Sequence, residues 1–168
     1  MNYKKSIDIF VCKIKDSDLI FEKRDLSEQT ENLEDRLDKK FPKSFCYLIS
    51  NYAFAPFEIE PIYFYANHRE GFLSEDEKPF FYDEFDLSKN NLSNAIFQDK
   101  IICKLLSANG FIRFARPFDG SYDPICFDAG KKKAASEFPI VRLDHEEILC
   151  NEMIKINQHI SDSFLAFV

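Results

Sequence analysis

Residues 110–146 read GFIRFARPFDGSYDPICFDAGKKKAASEFPIVRLDHE, and no other part of the chain restricts the fold as much. Phe111-Ile112-Arg113-Phe114-Ala115 forms one strand pattern, Ile125-Cys126-Phe127 a second and Pro139-Ile140-Val141-Arg142-Leu143 a third. Between the first two lie Asp119-Gly120-Ser121-Tyr122-Asp123-Pro124, which are turn residues. Three strands in succession imply an antiparallel meander. The stretch carries no visible reaction chemistry and reads as a surface-building hairpin region.

Helical patterns precede it. Tyr3, Ile7, Phe10, Val11 and Ile14 share one helical face, although Ile7-Ile9-Val11 also fits a strand; a helix is expected. Asp16-Ser17-Asp18 breaks it, and Leu19-Ile20-Phe21 is a short apolar run. Ser27 is the expected N-cap of a second helix reaching about Lys40, with Glu28 and Glu31 in its opening turn and Leu33 and Leu37 as its buried stripe. Pro42 suits the first turn of a third helix, whose Phe45, Leu48, Ile49 and Tyr52 follow the i, i+3, i+4, i+7 pattern.

Phe57-Glu58-Ile59-Glu60 alternates as a strand does, Ile62-Tyr63-Phe64-Tyr65 continues in β-type sequence, and Pro61 between them marks an edge or a bulge. Residues 68–93 are the least assigned, with Phe80-Phe81-Tyr82 a candidate strand and residues 87–92 loop-like. One helix is expected over residues 95–109, closed by Gly110 in a left-handed cap. Ile148, Leu149, Met153, Ile154 and Ile156 fit either a strand or a helix, and Ser161 is positioned to cap a last turn containing Phe164, Leu165 and Phe167.

The order strand, Asp-Gly loop, "cFD" strand and "PIVRLDHE" strand resembles the end of the Smi/Knr-like domain of the SUKH superfamily. A second block is similar to the same family. Thr30-Glu31-Asn32-Leu33-Glu34-Asp35-Arg36-Leu37, then Phe41-Pro42-Lys43-Ser44-Phe45 and Leu48-Ile49-Ser50-Asn51-Tyr52, resemble its pattern I-x-x-x-E-x-x-L…L-P-x-x-Y-x-x-F-L-x-x-Y-N-G. The closing Ser161-Asp162-Ser163-Phe164-Leu165-Ala166-Phe167 resembles the family's terminal S-F-x-x-F-L helix. Thr30 departs from an apolar position, and Ala53-Phe54-Ala55 stands where Asn-Gly-Gly is usual, so the turn after the third helix is expected to differ. The resemblance spans residues 27–167 in separated blocks. It implies a binding protein, in many bacterial members an immunity protein that neutralises a toxin domain, often a nuclease.

Composition narrows the partner. The 168 residues, 45% of them apolar, suffice for one core, and a single domain over 1–168 is expected. With 22 basic and 29 acidic residues the net charge is −7, which repels phosphate backbones and favours a cationic partner. Glu70, Glu75, Asp76, Glu77, Asp83, Glu84 and Asp86 stand against Lys78 alone. A solvated acidic face competes with a contact patch there. Cys12, Cys46, Cys103, Cys126 and Cys150 are odd in number, lack metal-knuckle spacing and sit among apolar residues as buried thiols do. No signal peptide or membrane span is visible, so a reducing cytoplasm is the expected compartment.

Four chemistries compete with simpler readings. Cys126, His145 and Asp128 or Asp144 could form a cysteine-hydrolase set across strands, but Cys126 between Ile125 and Phe127 reads as core. Asp119, Asp123 and Asp128 raise Ca²⁺, yet their spacing fails the EF-hand template and turn chemistry is preferred. The four glycines form no phosphate loop, the three histidines are too scattered for zinc, and Lys131-Lys132-Lys133 reads as a hydrated hairpin tip.

The reading is a single α+β domain whose twisted, mostly antiparallel sheet is packed on one side by helices. Its expected role is a non-catalytic domain binding a cationic toxin, with no cofactor, metal, nucleic acid or membrane, as a monomer or weak homo-oligomer. Glu75, Asp76, Glu77, Asp119 and Asp123 are the contact candidates. A regulatory scaffold domain binding an endogenous protein is the first rival, and a cysteine hydrolase the second.

Overall fold

The computed structural model describes residues 2–15, 21–59, 61–67, 91–131 and 136–168. In chain order these form α1 (Tyr3–Lys15), β1 (Phe21–Lys23), α2 (Ser27–Leu37), α3 (Lys43–Asn51), β2 (Tyr52–Phe54), β3 (Phe57–Ile59), β4 (Ile62–Phe64), α4 (Leu92–Phe97) and α5 (Lys100–Ala108). They continue with β5 (Phe111–Pro117), β6 (Ile125–Asp128), β7 (Ile140–Leu143), α6 (His145–Asn151), β8 (Ile156–Ser161) and α7 (Phe164–Phe167). The chain is α+β: β3 to β8 pair antiparallel in sequence order as one six-stranded sheet, and β1 with β2 forms a separate antiparallel pair. The expected meander is β5-β6-β7 within this sheet.

Strand alternation decides what each face buries. Opposed pairs Phe57–Phe64, Phe64–Ala115, Ala115–Ile125, Ile112–Phe127 and Phe127–Ile140 lie on one face. Against it pack Ile7, Phe10 and Val11 of α1, Phe45 and Leu48 of α3, and Phe164 of α7, in one apolar cluster. The abundance of phenylalanine is concentrated here: Phe114 stacks on Phe127 with ring centres 4.0 Å apart, and Phe57 on Phe64 at 4.5 Å. The helical layer expected on one side is thus present. The opposite face is also covered along β5 to β7, where Phe111, Cys126, Val141 and Leu143 meet Ile102 and Leu106 of α5 and Ile148 of α6. All four residues of β6 are buried, so a bare second face would leave apolar surface in water.

Several local expectations change for physical reasons. Ser27 is the first helical residue of α2, not its cap, because its N–H goes to the Asp25 carboxylate. That helix ends at Leu37, short of Lys40: Asp38 turns left-handed (φ 52°), its N–H returns to Asp35 O and Lys39 N–H to Glu34 O, a Schellman closure. The helix expected over 95–109 is two helices, since Asp99 accepts the N–H groups of Ile101 and Ile102 and starts a new one. Gly110 does adopt a left-handed φ of 83° after it. Ala53 and Phe54, expected in a turn after the third helix, belong to β2. Pro61 occupies the turn between edge strand β3 and β4. The undecided segment after Asp144 is α6, which Asp144 caps, followed by β8; Ser163, not Ser161, caps α7. The candidate strand Phe80-Phe81-Tyr82 lies outside the described residues.

Cysteine burial also differs from expectation. Cys126 is buried and Cys46 and Cys103 are half-buried, whereas Cys12 and Cys150 are exposed on the outer sides of α1 and α6. Apolar neighbours in sequence do not guarantee burial on an amphipathic helix, where adjacent residues point about 100° apart.

Glu152, at the end of α6, is also left-handed (φ 51°) and exposed. Replacement by glycine removes that strain against a smaller entropy penalty in the unfolded chain. Glu152→Gly is expected to stabilise the protein by about 0.5–1 kcal/mol. A melting temperature raised by roughly 2 °C in a thermal scan is the result to look for, and a fall would show that this turn carries no strain.

Buried polar ties fix the layers. Glu137 reaches the start of α3, accepting Ser44 N–H at 3.0 Å and Ser44 Oγ–H at 2.7 Å. Asn67 accepts Phe54 N–H through its side-chain oxygen and donates its amide to Ile49 O and Tyr52 O. Thr30 donates its buried hydroxyl to Leu26 O at 3.0 Å. Asp8 of α1 accepts the hydroxyls of Tyr47 and Tyr52; desolvation first, and then this carboxylate, raises both phenol pKa values. Among the described residues no helix is long and apolar enough to cross a membrane.

Candidate functional site

The Asp-Gly loop that joins β5 to β6 is held from four directions. At its start Phe118 N–H donates to Pro61 O at 2.8 Å, in the turn between β3 and β4. Inside it, Asp119 accepts Ser121 N–H at 2.9 Å, closing a side-chain turn around Gly120, whose φ is 83° with open space beside it. From β7, Arg142 spreads its guanidinium under the loop. Nε donates to Asp123 Oδ2 at 2.7 Å, Nη1 to Asp119 Oδ2 at 2.9 Å and Nη2 to Ser121 Oγ at 2.9 Å. The other Asp123 oxygen accepts His145 N–H at 3.0 Å, tying the loop to α6.

Arginine suits this clamp because its planar fork offers fixed, divergent donors. The Ser121 N–H bond, and then Arg142 beside it, hold the Asp119 carboxyl below the usual carboxylate range. Its contribution to loop order is therefore present above the ordinary value of 3.8 and is lost as pH falls through the lower folded value.

What the clamp presents is aromatic. Phe118 is 57% and Tyr122 70% exposed, on backbone whose conformation is already fixed. Tyr122 lies 5.6 Å from the His145 ring. The segment that begins at His145 carries further exposed apolar side chains, Leu149, Met153 and Ile156.

Of the acidic contact candidates, Glu75, Asp76 and Glu77 lie outside the described residues. Asp119 and Asp123 are brought together, but by Arg142. The side chain of Asp123 is only 15% exposed and works within the loop, whereas that of Asp119 is half exposed and keeps a face toward solvent. Phe118, Tyr122 and Arg142 were not singled out from the sequence. The available signal was the pair of aromatic residues set among Asp, Gly and Ser, where a turn gives them no core to enter.

The alternative chemistries gain no geometry. Cys126 is fully buried in the cluster behind β6, and desolvation pushes its thiol well above its ordinary value, away from a reactive thiolate. Asp144 caps α6 and pairs with Lys155, and Asp128 pairs with Lys131, so neither orients His145. Among the described residues no group of three candidate ligands is placed to hold a metal ion. In comparisons with known proteins, no family model and no curated protein matches the chain.

Proposed function

We propose that this chain is a non-catalytic protein-binding domain, an immunity protein of the Smi/Knr-like kind that covers and neutralises a basic, nuclease-type toxin in the bacterial cytoplasm. The observation that carries it is the loop of residues 118–124. Arg142 fixes its backbone without help from a partner, so docking orders few groups and little entropy opposes it. Phe118 and Tyr122 stand out from it as aromatic anchors, the residue type on which interface affinity concentrates. The half-exposed Asp119 carboxylate and the net charge of −7 draw a cationic partner and speed encounter. The acidic run containing Glu75, Asp76 and Glu77 is part of that net charge. The toxin itself comes from the family resemblance, on which this part of the reading rests.

The test is co-purification from native cells followed by reconstitution. A basic nuclease should co-elute and lose activity when the purified chain is added back. Phe118→Ala with Tyr122→Ala should then weaken the complex by roughly 100-fold while the far-ultraviolet spectrum stays unchanged. Failure to inhibit any co-eluting toxin, or full affinity in the double variant, overturns the reading.

A further inference from the structure

Loop 118–124 and α6 are joined at two points. His145 N–H donates to Asp123 Oδ1 at 3.0 Å, and the His145 ring lies 5.6 Å from that of Tyr122. One turn farther along α6, on the same side as His145, stands Leu149, 46% exposed. Tyr122, His145 and Leu149 therefore form a row of ring and alkyl groups. The row is not an overflow of the core. Ile148 supplies the buried contact of α6 with the sheet, so Leu149, about 100° round the helix from it, is turned to solvent.

The flanks of the row are acidic. Glu146 and Glu152, both exposed, lie three residues before and after Leu149, and Asp119, in the same loop as Tyr122, keeps half of its carboxylate open. Lys155 does not stand against them. Its ammonium pairs with Asp144 at 2.9 Å and lies 3.8 Å from Glu147, which is about 160° round the helix from Leu149. An apolar row between carboxylates is complementary to an apolar stripe bordered by lysine or arginine.

The backbone decides the form of that stripe. An extended segment binds by adding a strand, which needs unused main-chain groups in a line. Here the N–H groups of Phe118, Ser121, His145, Glu146 and Glu147 all donate within the chain. The sheet edge nearby, β8, shifts register twice against β7, and bulges of this kind turn an edge away from strand addition. A helix satisfies its own backbone and offers side chains alone. Its i, i+4 spacing of about 6 Å also matches the step from His145 to Leu149.

We infer that Tyr122, His145 and Leu149 are the seat of an amphipathic helix of the partner, whose basic residues meet Asp119, Glu146 and Glu152. The inference rests on the protein-binding reading and extends its surface from the loop onto α6. A second copy of this chain does not suit the row, because it would set acidic flanks against acidic flanks at a net charge of −7 each.

The experiment is a titration of the full chain with a synthetic helical peptide carrying leucine on one face and lysine on the other, followed through the Leu149 methyl and Tyr122 ring resonances. Both should shift saturably. A peptide of the same composition in which leucine and lysine alternate, a strand pattern, should bind roughly tenfold more weakly. Leu149→Ala and Glu146→Gln, both at exposed positions, should each weaken the helical peptide by roughly three- to tenfold, and added salt should slow its association. Shifts that leave Leu149 in place, unchanged affinity in both variants, or equal binding of the alternating peptide overturns the inference. So does a concentration-dependent dimer of the chain that Leu149→Asp abolishes, since a second copy then covers the row. The toxin reading fails separately, when the co-eluting nuclease keeps its activity in the presence of the chain. Inhibition lost in the Phe118→Ala, Tyr122→Ala variant but intact in Leu149→Ala and Glu146→Gln keeps the loop and removes α6.

Discussion

Phe45→Ala is expected to lower the unfolding free energy by about 4 kcal/mol, measured by urea denaturation. Phe45 is 2% exposed in α3, and its ring meets Phe41, Phe114, Phe127 and Phe164 at centre distances of 5.4, 5.3, 5.0 and 5.2 Å. Those partners come from the loop before α3, from β5, from β6 and from α7. One ring therefore joins the helical layer to the sheet and to the end of the chain. Truncation loses the transfer energy of the ring and leaves a cavity whose walls belong to separate elements, so collapse can recover little of it. Since a domain of this size is stable by roughly 5–15 kcal/mol, the variant should remain folded only under mild conditions. Phe45→Leu, which fills most of the space, should lose about half as much. A deficit below about 1 kcal/mol for the alanine variant would mean that this ring is not central to the core.

Glu137→Ala should cost about 3 kcal/mol, the second largest effect. Its two carboxylate oxygens satisfy the Ser44 N–H and hydroxyl at the start of α3, at a site where both residues are buried. The carboxylate also faces the positive end of that helix, which favours it further. Deleting the side chain strands two buried donors that water reaches poorly. Glu137→Gln keeps one acceptor for the N–H and should recover at least 1 kcal/mol of the loss. In a double-mutant cycle with Ser44→Ala the two residues should show a coupling of about 1–2 kcal/mol, and additivity would mean that Glu137 acts through some other contact.

These two sites also separate what is legible in a chain from what is not. Phe45 was recognisable at once, since Leu48, Ile49 and Tyr52 follow it at helical spacing and periodicity is a property of neighbours. Glu137 was not. Its partner lies 93 residues earlier, and nothing near Ser44 or Pro42 indicates that a distant carboxylate completes the cap. Asn67 gave no signal for the same reason, since it bonds to the end of α3 and to β2. Helix ends fared worse than helix centres. Asp38 ends α2 and Asp99 starts α5 through side-chain and backbone bonds of a few residues, and such a bond competes with a helical pattern that runs across it.

The candidate loop divides in the same way. Its turn residues and flanking strands were evident from residues 110–146, and Asp119 and Asp123 stood out as carboxylates. That Asp123 belongs to the interior of the loop, while Phe118 and Tyr122 face solvent, follows from Arg142, 19 residues beyond Asp123. The sequence by itself determined the antiparallel meander, the amphipathic α1 and α3 and the acidic charge, because each depends on the order of adjacent side chains or on their sum. Only the tertiary structure decided the second helical layer, the Arg142 clamp and the placing of Tyr122 beside His145. Those depend on which surfaces meet, and a polar group finds its partner only after the apolar faces have fixed where the chain can go.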